Sequence, residues 1–156
     1  MFNRTVTMTL PEWIGPFIAS RPSVVPLVED RVQFVLDLAT EHVSQQTGGP
    51  FAAAVFRADS HELVAVGVNL VVPAKSPIAH AEVVAFSFAG RAVGNYDLSA
   101  AGPTELVTST EPCAMCLGAV HWSGVARLVI SARDEDARAS GFDEGHKPAH
   151  WVAAFT

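Results

Sequence analysis

The sequence predicts an α/β fold in one domain, on three observations. Helix-like and strand-like segments alternate along the chain. Two strand-like segments joined by a short polar turn predict a hairpin, and a strand–helix–strand unit follows nearer the carboxyl end. The 156 residues, of which 49% are hydrophobic, are enough for a sizeable core and exclude a disordered chain.

The elements follow in order. Residues 1–26 contain four prolines and are predicted to form an extended arm that precedes a domain of residues 27–156. Residues 27–46 are predicted to be a helix, because apolar residues recur near helical spacing at Val28, Val32, Val35, Leu36, Ala39 and Val43. Pro26 lies at the start of this helix, and the Gly-Gly-Pro run at 48–50 ends it.

The remaining elements alternate more regularly. Residues 51–57 and 63–69 are predicted to be the two strands of the hairpin. The later segments are predicted as a helix at 79–93, a strand at 105–109, a helix at 113–122, a strand at 126–131 and a short charged helix at 133–140.

Two short motifs carry the chemistry. His80-Ala81-Glu82 is followed, 33 residues after the histidine, by the segment Pro112-Cys113-Ala114-Met115-Cys116. One imidazole and two thiols are a ligand set for a catalytic zinc, which takes three protein ligands and leaves a fourth position to water. We therefore predict one Zn²⁺ per chain, bound by His80, Cys113 and Cys116.

The spacing within each motif supports this division of roles. Cys113 and Cys116 are three residues apart and would share one helix face. Pro112 fits the first helical position, which would place both thiols in the first turn, where the helix dipole favours thiolate. His80 and Glu82 are two residues apart and would face different ways, so only His80 is predicted to bind metal. The carboxylate of Glu82 is then free of the metal and is predicted to transfer protons.

Other interpretations of these motifs remain open. A Cys-x-x-Cys at a helix start also suits a redox dithiol, and a zinc ion can be purely structural. The two cysteines of the chain both lie in the motif, and a structural zinc usually has four protein ligands. Metal analysis separates the dithiol from the zinc site.

Charge and hydropathy restrict the partners and the compartment. The net charge is −6, and the basic residues are scattered, which disfavours a nucleic-acid partner. The sequence has no apolar stretch long enough for a membrane span and no recognisable signal peptide. Two cysteines in metal-ligand spacing indicate a reducing compartment, so we expect a cytoplasmic protein.

The motifs resemble those of the cytidine deaminase superfamily, for which His-x-Glu followed by Pro-Cys-x-x-Cys is a signature. The chain is most similar to its small bacterial guanine deaminases, including a subgroup that accepts the triazine ammeline. The segments that carry the resemblance are residues 48–55, Asn69, residues 79–82, residues 108–120 with Trp122 and Ser123, and residues 141–145. The resemblance implies a three-layer α/β/α fold with a central mixed sheet, and a homodimer.

The resemblance also implies an activity. It is the hydrolysis of guanine to xanthine and ammonia, with a free nucleobase as the substrate. The alternatives are a tRNA adenosine deaminase, a deaminase of cytosine or another aminated heterocycle, and a non-enzymatic zinc module.

The resemblance assigns roles to further residues. Glu82 corresponds to the proton shuttle, and Glu144 to a second acidic residue beside the exocyclic amine, although Glu144 could be an ordinary loop residue. The substrate pocket is expected to include Phe51, Asn69, Ala81 and Trp122. Phe51 and Trp122 could equally be core residues, and Asn69 a turn residue. The chain ends at Thr156, so we expect the final strand and helix of the family to be absent.

Overall fold

The centre of the fold is a four-stranded mixed sheet. The computed structural model describes residues 4–142. Its strands are β1 (Gly49–Arg57), β2 (Leu63–Asn69), β3 (Thr104–Thr108) and β4 (Arg127–Ile130). They lie in the order β2-β1-β3-β4. The pairs β1–β2 and β1–β3 are antiparallel, and β3–β4 is parallel, as a strand–helix–strand unit requires.

Helices cover both faces of this sheet. They are α1 (Ile14–Ala19), α2 (Val28–Ser44), α3 (Ala81–Val93), α4 (Ala114–Ser123) and α5 (Asp134–Ala139), with a 3₁₀ turn at Leu98–Ala101. Successive residues of β1 point to opposite faces, so Ala54 and Phe56 pack in one core cluster with α2, and Ala53 and Val55 pack in the other with α3. The result is the predicted α/β/α layering.

The buried face of α2 differs from the predicted one. Val28 and Val43 were expected to face the core, yet they are 38% and 48% exposed. The inward face instead includes Arg31 and His42. Both are polar in sequence but have buried partners, so a search for apolar periodicity does not find them.

The predicted extended arm is wrong for part of the amino-terminal segment. Helix α1 lies within it, and its residues Ile14 and Phe17 are buried in the α2 cluster. The ring of Phe17 makes edge-on contacts with Trp13 and Phe34, at centroid distances of 5.8 and 5.6 Å. Pro16 is tolerated because it lies in the first turn of α1, where a backbone N–H has no helical partner. The domain boundary at residue 26 stays a prediction.

No helix within residues 4–142 is both long and apolar enough to cross a membrane.

Candidate metal and active site

Three metal-ligand side chains meet where two helices begin. Atoms of His80, Cys113 and Cys116 that can bind a metal all lie within 4.8 Å of one another. His80 is the N-cap residue of α3, and Cys113 is the N-cap residue of α4; both have extended backbone angles. The two helices therefore present these side chains to each other.

Helix α4 begins two residues after Pro112, so the two cysteines lie nearer to its start than predicted. Helix α4 starts at Ala114, so Cys113 is the N-cap residue, Cys116 is the third helical residue, and Pro112 lies before the cap. The prediction that Pro112 occupies the first helical position is therefore wrong, because Cys113 adopts the extended conformation of a cap. Both sulfurs still lie at the positive end of the α4 dipole, which favours thiolate.

The donor set fits a zinc ion. One imidazole nitrogen and two sulfurs are ligands that zinc prefers, and three protein ligands are typical of a catalytic site with an open position. Two of these groups are cysteines buried to 7% and 0% exposure, which restricts access by other thiols. A group of this composition in the described chain is better explained by metal binding than by a redox dithiol.

The pKa values of the two thiols shift in opposite directions. A hydrogen bond donated by Cys116, with a smaller contribution from His80, lowers the pKa of the Cys113 thiol to about 4. The same hydrogen bond and burial raise the pKa of the Cys116 thiol. A thiolate is therefore already favoured at Cys113, and metal binding requires that Cys116 lose its proton as well.

Glu82 lies beside the ligands without being one of them. It is the second residue of α3 and is 9% exposed. Its Oε2 accepts a hydrogen bond from the Cys116 sulfur at 3.3 Å. Burial raises the pKa of the Glu82 carboxyl above its ordinary value. A carboxyl group with a raised pKa is a stronger base than an ordinary carboxylate, which suits it to take a proton beside a metal site.

A small recess opens onto the ligand His80 and onto Glu82. Of the predicted substrate residues, Phe51, Asn69 and Ala81 line it. The structure therefore brings these three to the metal group, although their roles stay predictions. The complete lining is Phe51, Ala52, Asn69, His80, Ala81, Glu82, Ser109, Thr110 and Glu111.

Trp122 is not brought to the recess that the described residues form. Its side chain is 82% exposed on α4. It lies six residues after Cys116, about 9 Å further along the helix and turned away from the ligand face, at 1.5 Å and 100° per residue. A pocket role for Trp122 within this chain does not fit that position.

Glu144 lies outside the described residues. The described chain ends at Phe142, two residues earlier, and the ring of Phe142 packs edge-on against Phe51 with a centroid distance of 5.1 Å. Phe51 lines the recess. Phe142, the last described residue, therefore lies against a residue of the recess.

Ser109, Thr110 and Glu111 also line the recess, and sequence reasoning gave them no role. They connect the end of β3 to the cap of α4. The Oγ of Ser109 accepts a hydrogen bond from the backbone N–H of Ala52 at 3.1 Å, which ties this connection to β1. Their position in the sequence, between the end of a predicted strand and the Pro-Cys motif, could have identified them as residues of the site.

Close packing of α3 on β2 sets the position of the first motif. A Cβ atom at Gly67 of β2 would overlap the carbonyl oxygen of Ala81 and the backbone of Ala85. Only glycine allows α3 to approach the strand this closely. The helix start that carries His80 and Glu82 is held at this distance from the sheet.

The fold and the site together define the class of zinc-dependent hydrolytic deaminases. A family model for the cytidine and deoxycytidylate deaminase zinc-binding region matches residues 28–132. The chain belongs to this family.

Curated proteins and solved structures in the family are similar to the chain. The guanine deaminase of Bacillus subtilis is 39% identical over 107 residues, which cover 69% of the chain and 65% of that protein. A tRNA-specific adenosine deaminase of Haemophilus influenzae is 32% identical over 113 residues, or 72% of the chain and 62% of that protein. The matches thus cover slightly less than two thirds of either relative.

The structural matches cover more of the chain. A solved guanine deaminase from Nitrosomonas europaea is 44% identical, with a TM-score of 0.89, over 99% of this chain and 85% of that one. Another solved structure, in complex with 2,6-diaminopurine, is 45% identical, with a TM-score of 0.88, over 99% of this chain and 82% of that one.

Proposed function

We propose that this protein hydrolyses free guanine to xanthine and ammonia. The observation that carries the proposal is the buried Glu82 carboxyl, placed between the metal ligands and a recess that also holds Asn69 and Phe51. The similarity to solved guanine deaminases over 99% of the chain favours guanine as the base. The complex of a related protein with 2,6-diaminopurine supports a purine ring in this recess.

The metal ligands and Glu82 would have different roles in the proposed hydrolysis. A zinc ion held by His80, Cys113 and Cys116 would supply Lewis acidity, which makes water a nucleophile at neutral pH. Glu82 would take a proton from the attacking water, pass it to a ring nitrogen and later help to protonate the departing amine. Burial suits Glu82 to this role, because it raises the pKa of the carboxyl and so makes its carboxylate a stronger base.

Three further residues would orient the base. The ring of Phe51 can pack on a purine, and the amide of Asn69 can hydrogen bond to its edge. Glu144 would bind the exocyclic amine and protonate it as it leaves. The packing of Phe142 on Phe51 supports this role, because it brings the chain to the recess two residues before Glu144.

The proposal extends to assembly and location. Trp122 and Met115 are apolar and exposed on α4, which supports a homodimer with this helix at its interface. We also propose a cytoplasmic enzyme whose secondary substrate is ammeline.

The alternative substrate is adenosine in tRNA. The similarity to a tRNA-specific adenosine deaminase favours this substrate. The net charge of −6 disfavours it, because the chain has 10 Lys and Arg residues but 16 Asp and Glu residues. Nucleic-acid affinity draws mainly on basic side chains that contact phosphates.

The test is a substrate panel for the purified zinc protein. Guanine, ammeline, cytosine and a tRNA anticodon stem-loop are assayed for ammonia, with xanthine and inosine identified by chromatography. Glu82→Gln, prepared in the same way, measures contaminating activity. We expect xanthine from guanine and no inosine in the RNA. Inosine formation with guanine inert would replace guanine by tRNA as the substrate.

A further inference from the structure

We propose that His42 is a positioning residue for Asn69. A hydrogen-bond chain from Trp13 through Thr47 and His42 would hold the end of β2, and so fix the side chain that meets the substrate. This inference rests on the proposed function, because it takes Asn69 to bind the base. Trp13, Thr47 and His42 do not line the recess that the described residues form.

The direction of each hydrogen bond in the chain follows from the chemistry of its groups. The backbone oxygen of Asn69 can only accept, so His42 Nε2, 2.9 Å away, must carry the proton. In the neutral ring Nδ1 is then an acceptor, and the Thr47 hydroxyl donates to it at 2.7 Å. The indole N–H of Trp13 donates to Thr47 Oγ1 at 3.0 Å. Every polar group between Trp13 and Asn69 thus has a partner, and the backbone oxygen of His42, 3.2 Å from Thr47 Oγ1, is a second acceptor for that hydroxyl.

The chain is buried where it reaches Asn69. His42 is 0% exposed, and burial lowers the pKa of its imidazole, which favours the neutral tautomer that the hydrogen bonds require. The ring of Trp13 also lies 6.0 Å from the ring of His42, at a tilt of 40°. A buried, fully hydrogen-bonded imidazole has little freedom to rotate.

Gly48 leaves room for the bond between His42 and Asn69. A Cβ atom at Gly48 would overlap both Nε2 of His42 and the backbone oxygen of Asn69, the two atoms that the hydrogen bond joins. The backbone of Gly48 therefore packs directly over this bond. The contact is a second observation, independent of the hydrogen-bond chain, that the position of Asn69 is held from this side.

The pairing of β2 with β1 does not by itself fix the backbone of Asn69. It is the last residue of β2, and the register with β1 shifts between Gly49 and Ala52, so the regular ladder does not continue past it. Its Oδ1 accepts a hydrogen bond from the backbone N–H of Val71 at 3.2 Å, which orients the amide. The amide Nδ2 is then the donor that Asn69 can offer to an acceptor on a purine edge. Movement of the Asn69 backbone would move this donor.

The substitution Thr47→Val tests the proposal most directly, because it removes the hydroxyl and keeps the shape. We expect the KM for guanine to rise about five-fold, as for one weakened hydrogen bond, with kcat within two-fold and zinc content unchanged. Thr40→Val is the matched control. Thr40 donates to Leu36 O on the exposed side of the same helix region, and this variant should keep the parent KM.

Two further variants separate positioning from folding. His42→Phe fills the space without a donor and should raise KM at least as much as Thr47→Val. His42→Gln keeps an amide N–H that can reach Asn69 O and should restore part of the loss. If His42→Phe does not fold, Thr47→Val and Trp13→Phe, which retains the aromatic ring, still test the chain.

A double-mutant cycle decides whether the effect passes through Asn69. In an Asn69→Ala background, Thr47→Val should change KM no further, because the side chain that it positions is gone. Equal effects of Thr47→Val in both backgrounds would overturn the proposal, as would an equal effect of Thr40→Val. If the parent protein turns over guanine but every variant keeps its KM, the positioning role alone fails. If the parent does not act on guanine, the proposed function fails and the inference falls with it.

Discussion

His80 and Cys113 hold equivalent positions in two different helices. Each is the N-cap residue of its helix, and the Nδ1 of His80 lies 3.6 Å from the Sγ of Cys113. The positive ends of two helix dipoles therefore meet at one point. That point favours thiolate sulfur and negative charge, which is the electrostatic environment that a deprotonated ligand set requires.

The ligand set predicts the effect of removing one sulfur. Cys116→Ala should lower zinc from about one ion per chain to a small fraction, because a two-ligand site binds zinc weakly. Met115→Leu, a substitution one residue away on the same helix, should keep the metal. Elemental analysis of both purified variants measures the difference. Full zinc occupancy in Cys116→Ala would mean that the metal lies elsewhere.

Glu82 should matter for turnover and not for metal binding. Glu82→Gln is expected to keep its zinc and to lose about 10²–10⁴-fold in kcat, since an amide cannot accept the proton of the attacking water. Glu135→Gln, at an exposed position on α5, is the matched control. Near-normal turnover in Glu82→Gln would assign proton transfer to another group.

The segment after Phe142 yields a paired prediction. Glu144→Gln should reduce kcat for guanine strongly, while zinc content and the melting temperature stay at the parent values, because in the proposed mechanism the residue acts on the leaving amine. Asp143→Asn, the neighbouring change of the same kind, should be milder. Steady-state kinetics on both variants compares them. Small and equal effects would remove the second carboxylate from the mechanism.

A buried ion pair predicts a large effect on stability. Glu105 is 0% exposed and pairs with Arg31, itself 2% exposed, and with Arg127. Glu105→Gln should lower the free energy of unfolding by about 3–5 kcal/mol, because it leaves the buried Arg31 charge without its partner. Asp37→Asn, which breaks the exposed pair with Arg21, should cost about 0–1 kcal/mol. Urea denaturation of the two variants checks the contrast.

His42 also predicts how stability changes with pH. Burial lowers its pKa in the folded state, so below the ordinary value of 6.5 the unfolded chain binds a proton that folded His42 does not. Acidification below pH 6.5 should therefore destabilise the fold, down to the lowered pKa. In His42→Gln this decline in stability should be shallower. Melting temperatures measured across this pH range test it.

The features of this protein that could be predicted from its sequence are those that neighbouring residues determine. The strand at 63–69 and the metal group could be predicted, because alternation and ligand spacing are properties of neighbouring residues. Helix α1 was missed because Gly15 and Pro16 suggest an interruption, while its stability comes from Phe17 packing against Phe34, a residue of α2. In α1, tertiary packing therefore outweighs the low helix propensity of Gly15 and Pro16.

The rest of the site depends on distant segments meeting. Ser109 reaches the recess through the pairing of β3 with β1, and no spacing within residues 105–111 reveals that pairing. Trp122 was assigned to the pocket by resemblance, but its angular position on α4 turns it outward. His42 has the sequence context of a core histidine, and only the strand end that it meets gives it a further role.

Gly67 has a consequence for mutational screens. The residue has no side chain and no metal ligand, yet a methyl group there would meet the backbone of α3 at the turn that carries His80 and Glu82. Alanine at this position would push the helix away and separate the histidine from its two sulfur partners. A survey that scores variants only by retained zinc should therefore identify Gly67 together with the three ligands. Engineering of this scaffold for new bases would have to keep this position unchanged while the recess is redesigned.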